Sequence, residues 1–368
     1  MKPKKKKIVH VTSSLRIGGA EAVLCDLIKG LGNEQFEHHV IYFHRGRREQ
    51  QVRQLGVQTY QIRGLFSLYD PVFFYRLWKL IRLLKPDVIH SLLWSANVSS
   101  RLVAQLLSIP HVSVYHNNID QDGRLRNLLD KATRIISERL VAVSDEVAES
   151  IVKTDLRFSK KKIIVIKNGV DADEVREKAE HERVSRDILG LPEKCFVIGS
   201  VGRFCPVKNY PLLISAFASL VIKSDQAYLV LVGVGPDEEA LREQVRKLKI
   251  EDRVIFIIGR SSYGYFSLFD CFVQSSDKEG ISIALLEAMS CGIPCVATHV
   301  DSCHSVLVSG KNGLVVKAGK IQDLLDAIRR LEEDYTLARR LGQEGKKFVD
   351  IEFGLERMVQ NYKDVFDF

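Results

Sequence analysis

Two pairs of charged residues stand out by type and spacing. Arg203 and Lys208 lie five positions apart in "GRFCPVKN", and Glu279 and Glu287 lie eight apart in "DKEGISIALLEAM". Arg203 follows a strand-like run, and Lys208 opens the next helical one. Two cations beside a helix N-terminus suit phosphate groups, with the helix dipole adding to their charge. Taken alone, they also read as two solvated basic residues. The glutamates bracket an apolar run of Ile281, Ile283, Leu285 and Leu286. If a helix begins just after Gly280, Glu287 lies two turns in, about 12 Å along. Either both acids face water from an amphipathic helix, or both face one long ligand. In the second case each carboxylate grips hydroxyl groups, as carboxylates do with ribose in dinucleotide sites. A glycine pair, Gly18-Gly19 in "RIGGAEAVL", marks a turn where backbone amides can approach an anion. A simple tight turn fits it equally well, because the G-x-G-x-x-G spacing is absent.

Short β-rich runs alternating with helical periodicity must position these residues. "KIVHVTS", "HHVIYFH", "VQTYQI", "DVIHS", "HVSVYH", "LVAVS" and "KIIVIKN" form a first series. "CFVIGSVGR", "AYLVLVGVG", "RVIFIIG", "DCFVQSS", "PCVATHV" and "GLVVKA" form a second, beyond a polar joint near 169–185. The alternation predicts parallel sheets covered on both faces. At 368 residues the chain is long enough for two cores. The expected architecture is α/β, with two doubly wound Rossmann-like domains facing a central cleft and a helical end from about Ile321. Ligands in such sheets bind beyond the carboxyl ends of the strands. There the sequence places Gly18-Gly19, His116, Gly202-Arg203, Gly233 to Gly235 and Asp277 to Gly280.

Bulk properties narrow the classes. The net charge of +8 is unevenly shared: residues 1–171 hold 28 Lys and Arg against 16 Asp and Glu, and residues 172–368 hold 26 against 30. The first half therefore suits an anionic partner, a membrane surface or nucleic acid, although no recognised nucleic-acid motif is present. No apolar stretch approaches the roughly 20 residues of a membrane span. The seven cysteines read as reduced thiols of a cytosolic protein. Cys291, Cys295, His299 and Cys303, with His304 adjacent, invite a zinc reading, but Gly292 and Pro294 break the helix that would align them. Buried apolar thiols are the expectation instead. "DQD" at 120–122 and "DAD" at 171–173 read as caps or turns rather than metal ligands. In "SLYDPVFFYRLWKLIRLLKPD", Arg76, Lys79, Arg82 and Lys85 recur every three residues beside an apolar side. That pattern fits a helix packed on its sheet with a basic outer face. It also fits an anionic membrane contact, aided by "RGRR" at 45–48 and the N-terminal lysines.

The ordered set "GGAE", "IKNGVD", "GRFCPVK", Glu-x7-Glu in "EGISIALLEAMSCGIPCVAT" and "NGLVV" resembles the retaining, nucleotide-sugar-dependent glycosyltransferases of family 4, over nearly the whole chain. The resemblance implies the GT-B architecture, with an acceptor-binding domain at 1–171 and a nucleotide-sugar-binding domain at 172–350. It further implies a terminal helix, 351–368, returning to the first domain. It implies that Arg203 and Lys208 hold the donor diphosphate, that Glu287 binds the ribose, and that Glu279 binds the transferred sugar. Gly18 and Gly19 would pack at the phosphate and acceptor side. His116 would contact the sugar, and Arg260, Gly280, Ile281, Ser282 and Ile283 would surround the donor. Transfer of a hexose or N-acetylhexosamine to a glycan or lipid-linked acceptor would need no metal and no cofactor beyond the sugar nucleotide. The protein would be cytoplasmic, or peripheral at the inner face of a membrane. A GT-B sugar-nucleotide epimerase and a degenerate, non-catalytic sugar-nucleotide binder are the alternatives. Three departures from the family pattern stand out. Ile281-Ser282 replaces Phe-Gly in the donor loop, "DSCHS" leaves Ser305 where an acid is usual, and Asn209 replaces a glycine.

Overall fold

The computed structural model describes residues 5–16, 18–64, 70–116, 124–154, 162–300 and 303–368. The chain divides into two compact units, Met1–Gly169 with Leu355–Phe368, and Val170–Gly354.

The first unit is built on seven parallel strands: β1 (Lys6–Ser14), β2 (Phe36–His44), β3 (Gln58–Gln61), β4 (Val88–Leu92), β5 (His111–Tyr115), β6 (Arg139–Ala142) and β7 (Ile163–Val165). Their order across the sheet is β3-β2-β1-β4-β5-β6-β7. All five residues of β4 and of β5 are buried, the mark of strands covered on both faces. The helices are α1 (Gly19–Leu31), α2 (Arg48–Gln54), α3 (Pro71–Leu84), α4 (Trp94–Leu107), α5 (Arg124–Arg134) and α6 (Asp145–Thr154).

The second unit begins with α7 (Ala172–His181) and carries six parallel strands. These are β8 (Phe196–Val201), β9 (Ala227–Gly233), β10 (Val254–Ile258), β11 (Cys271–Gln274), β12 (Cys295–His299) and β13 (Leu314–Lys317), in the order β10-β9-β8-β11-β12-β13. The helices between and after them are α8 (Tyr210–Val221), α9 (Glu238–Leu248), α10 (Tyr263–Phe266), α11 (Ile283–Ser290), α12 (Cys303–Val306), α13 (Ile321–Glu333) and α14 (Tyr335–Glu352). The last helix, α15 (Leu355–Phe366), belongs to the first unit and packs on α1. The thirteen strands correspond one for one to the runs read from the sequence.

Local sequence explains how these elements start and stop. In α3 the Asp70 carboxylate accepts from Val72 N at 2.9 Å and Phe73 N at 3.2 Å, and Pro71 occupies the first turn. The helix buries Phe73, Leu77 and Ile81 in the core formed with β1, β2, β4 and α4. Its basic residues lie opposite, as expected of a helix laid on its sheet. Asp171 accepts from Glu174 N at 3.1 Å and so caps α7, and Asp173 pairs with Arg176 at 2.6 Å. The other Asp-x-Asp triplet, 120–122, lies outside the described residues.

Two polar clusters are buried in the first unit. His10 of β1 lies 2.9 Å from His90 of β4 and 3.0 Å from His38 of β2, under Phe366 of α15. Burial pushes the His90 imidazole down to about 3, with His116 and His38 adding to the effect. Beneath β5, Asp130 lies between two fully buried arginines, Arg101 at 2.7 Å and Arg134 at 2.5 Å. Tyr115 Oη also donates to Asp130, at 2.9 Å.

Candidate active site

In both sheets the chain order reverses about the first strand, between β1 and β4 and between β8 and β11. These are the switch points beyond which open α/β sheets bind ligands.

In the second unit the loops after β8 and β11 are tied together. Ser200 Oγ donates to Val273 O at 2.7 Å, joining the two strands. Ser275 Oγ donates to the carbonyls of Lys208 (3.1 Å) and Asn209 (3.0 Å), and Asp277 N donates to Val207 O at 2.9 Å. The loop after β9 supports the same region through its glycines. A Cβ on Gly233 would lie 1.9 Å from Gly202 O, and one on Gly235 would lie 2.0 Å from Phe204 O. Only bare backbone permits that approach.

The Lys208 ammonium forms an ion pair with Glu279 Oε1, and Ser276 Oγ donates to the same oxygen at 2.7 Å. Both charged side chains are mostly buried, Lys208 at 23% exposure and Glu279 at 13%. Arg203 is exposed and has no ion pair or hydrogen-bonding side-chain partner among the described residues. Asn209 adopts the left-handed conformation (φ 45°), accepts from Leu212 N at 3.3 Å to cap α8, and donates to Asp277 Oδ1 at 2.8 Å. That φ explains why glycine is usual there and why asparagine, which tolerates the left-handed region, can replace it. Ser282, by contrast, sits at φ −76°, which needs no glycine.

The helix carrying Glu287 begins at Ile283 rather than just after Gly280, because Gly280, Ile281 and Ser282 lead into it without joining it. Glu287 is therefore its fifth residue, little more than one turn in, and not two turns in as a helix start just after Gly280 predicts. Its Oε1 accepts from Tyr263 Oη of α10 at 3.3 Å, and the Lys178 ammonium lies 4.9 Å over the Tyr263 ring. Ile281, Ser282 and Ile283 are buried, Gly280 is half-buried, and Arg260 is exposed just after β10. Ser305 lies in α12. Cys295 is buried in β12, its thiol 3.2 Å from Ile293 O, and burial pushes the half-buried Cys291 thiol up to about 11. Among the described residues no group of three His, Cys, Asp or Glu is arranged to hold a metal. A cavity of about 540 Å³ opens at the opposite, amino-terminal end of the central strands, between Phe196, Asp270, Cys291 and Pro294, and is lined by none of Arg203, Lys208, Arg260, Glu279 and Glu287.

In the first unit Gly18 caps α1 in extended conformation. A Cβ there would lie 2.4 Å from Glu21 Oε2, and the buried Glu21 accepts from Ser14 Oγ at 2.6 Å. The turn Gly18-Gly19 thus makes room for the chain's own carboxylate, which fastens the end of β1 to α1. His116 follows β5 directly. Its Nε2 is buried without a hydrogen-bond partner among the described residues, and burial pushes the imidazole down to about 4, so it is neutral at pH 7.

Ser276, Tyr263 and Ser275 escape sequence reading. Tyr263 and Ser275 are ordinary polar residues whose roles exist only through partners distant in the chain. Ser276 alone, three residues before Glu279, carries a faint local signal.

Residues 17–174 match the family model described as Glycosyltransferase Family 4, and residues 182–348 match Glycosyl transferases group 1. The chain belongs to glycosyltransferase family 4. This is a family of retaining hexosyltransferases, and the chain is such an enzyme. Among curated relatives, the glycosyltransferase is 25% identical over 376 residues to the Escherichia coli UDP-Gal:alpha-D-GlcNAc-diphosphoundecaprenol alpha-1,3-galactosyltransferase, covering 98% of this chain and 96% of that one. It is 28% identical over 365 residues to the lipopolysaccharide core biosynthesis glycosyltransferase LpsD of Rhizobium meliloti, covering 98% of each. Among solved structures, Anabaena HepE in complex with UDP-glucose superposes with a TM-score of 0.85 at 22% identity over 98% of each chain. Sucrose-phosphate synthase from Thermosynechococcus elongatus does so with 0.83 at 19% identity, again over 98% of each. This likeness carries the fold, GT-B.

Proposed function

We propose that the enzyme transfers a hexose or N-acetylhexosamine, with retention, from a UDP-sugar to a glycan or lipid-linked acceptor. The second unit takes the donor and the first the acceptor. The observation that supports it best is the joining of Lys208, Ser276 and Glu279 at the switch point between β8 and β11, with Arg203 exposed in the loop just after β8. Arg203 and Lys208 neutralise the departing diphosphate as its charge develops, the part a metal plays elsewhere. Glu279 accepts from hydroxyls of the transferred sugar, and Glu287, steadied by Tyr263, from those of the ribose. Gly280 to Ile283 and Arg260 complete the donor's surroundings, and His116 is a sugar contact in neutral form. UDP is favoured as the nucleotide because the relative from Escherichia coli is named for UDP-Gal and HepE was crystallised with UDP-glucose.

The test is calorimetric titration with UDP, GDP and ADP, followed by UDP release from a panel of UDP-sugars with EDTA present. UDP should bind, one UDP-sugar should turn over in EDTA, and Glu287→Ala should weaken UDP by about 10–100-fold through the lost charge-assisted hydrogen bonds. Binding of none of the nucleotides by folded protein would overturn the reading.

The acceptor side includes an anionic membrane surface. No helix among the described residues is long and apolar enough to cross a membrane. However, α3, α4 and α5 pack side by side over one face of the sheet, and their outer sides expose Tyr75, Leu83, Leu106, Leu125 and Leu128, with Ile135 exposed just after α5. Arg76, Lys79 and Arg82 are exposed among them, and the single acidic residue of the three helices, Asp130, is buried. Protruding apolar side chains on a cationic layer without surface carboxylates match the interface of an anionic bilayer. The enzyme should sediment with vesicles containing phosphatidylglycerol at low salt. Reversing Arg76, Lys79 and Arg82 to glutamate should lower that binding by more than about 100-fold, at roughly 1 kcal/mol per basic residue. Unchanged sedimentation of the triple variant would remove this surface from the reading.

A further inference from the structure

We infer that Glu279 acts against the spent nucleotide: its carboxylate competes with the diphosphate for Lys208, so the enzyme holds the intact donor more tightly than UDP. The inference rests on the donor site proposed above and extends it to product release.

The geometry is a contest for one ammonium group. Glu279 Oε1 takes both the Lys208 ammonium and the Ser276 hydroxyl. Ser276 is itself fixed, its carbonyl accepting from Thr298 Oγ1 at 2.5 Å, and both residues are buried. The carboxylate is therefore held beside Lys208 rather than free to swing into solvent. A diphosphate drawn to Lys208 meets an anion there. Sharing the three N–H donors brings two negative groups within a few ångströms in a mostly buried site, where their repulsion is poorly screened. An intact sugar nucleotide resolves the conflict, because the sugar's hydroxyls donate to the Glu279 oxygens and leave Lys208 to the phosphates. Once the sugar has gone to the acceptor, that compensation is gone. Glu279 then takes Lys208 back, and the bare diphosphate loses that cation.

Glu279 is thus a discriminator between donor and product as well as a sugar contact. The test uses the full chain and UDP itself, titrated calorimetrically into the parent, Glu279→Gln, Lys208→Met and the double variant. Thermal melting confirms folding in each case, and Glu279→Ala stands in if the glutamine variant does not fold. Glu279→Gln should bind UDP about tenfold tighter than the parent, as expected for removing a close charge conflict. The accepted UDP-sugar should bind no tighter than before. In the Lys208→Met background the same substitution should change UDP affinity less than twofold, because the contested cation is gone. UDP binding equal to or weaker than the parent in both Glu279 variants would overturn the inference while leaving the donor site standing. Failure of the parent itself to bind UDP would overturn the donor site, and the inference with it.

Discussion

Lys208→Met should lower sugar transfer by about 10²–10³-fold while leaving the fold intact. That is the range seen when one preorganised group stabilising developing negative charge is removed from an active site. The fold should survive because the loop depends on backbone ties rather than on this side chain. Ser275 holds the carbonyls of residues 208 and 209, and Asp277 N holds Val207 O. The methionine stem can replace the apolar part of the lysine in its mostly buried position. Lys208→Arg should recover only part of the activity, since a planar guanidinium does not fill the place of a compact ammonium beside Glu279. Steady-state UDP release with the accepted donor measures both variants. Activity of Lys208→Met within threefold of the parent would take Lys208 out of the donor site.

Asp130→Asn should destabilise the first unit by about 3–5 kcal/mol, the cost of leaving buried charge without its partner. Asp130 is the counter-charge to Arg101 and Arg134, both fully buried, and each guanidinium makes further bonds that hold it in place. Arg101 Nε donates to Ser113 Oγ at 3.0 Å, and Arg134 Nη1 donates to Ile151 O at 3.2 Å. Burial alone would raise the Asp130 carboxyl, but the two arginines outweigh it and hold the group below the usual carboxylate range. With its folded pKa depressed, its stabilising contribution is complete above the ordinary carboxylate pKa and is lost as pH falls through the folded value. The asparagine variant should therefore lose the acid-dependent part of stability that the parent shows. A triple variant, Arg101→Met with Asp130→Leu and Arg134→Met, should be more stable than Asp130→Asn, because removing all three charges leaves none uncompensated. Urea denaturation separates the cases. A midpoint for Asp130→Asn equivalent to less than about 1 kcal/mol of loss would mean that water or another group neutralises the arginines.

The consequences for function lie along β5. Tyr115 donates to Asp130, and the next residue is His116. Loosening the cluster should thus disturb the sugar contact proposed for His116 without touching the donor unit.

Much of the architecture was legible from local pattern. Short runs rich in β-branched and apolar residues, bounded by glycine and polar residues, mark all thirteen strands, since strands covered on both faces are mostly apolar. The helical end after Ile321 was legible for the same reason: its apolar residues recur at helical spacing. The start of α11 was not. Ile281 and Ile283 are both buried, so burial does not tell a lead-in from a helix, and the bonding of Leu286 N to Ser282 O shows where the helix begins. The imidazole row was equally hidden, because His10, His38 and His90 meet only when β1, β2 and β4 align in register.

The sequence by itself therefore determined the two α/β units, the order of their strands along the chain, and which residues sit just beyond them. Chain order and apolar period are properties of neighbouring residues. Tertiary structure decided what those residues do to one another. It joined Lys208 to Glu279 across 71 positions, set Ser276 against the same carboxylate, gave Tyr263 to Glu287, and buried one aspartate between two arginines. The pairings of Lys208 with Glu279, Tyr263 with Glu287 and Arg101 with Asp130 follow from which elements lie side by side and from the loop ties that bring distant side chains within hydrogen-bonding reach, and residue spacing along the chain does not encode them. Only Ser276 with Glu279 and Asp130 with Arg134 are near enough in the chain for local spacing to contribute.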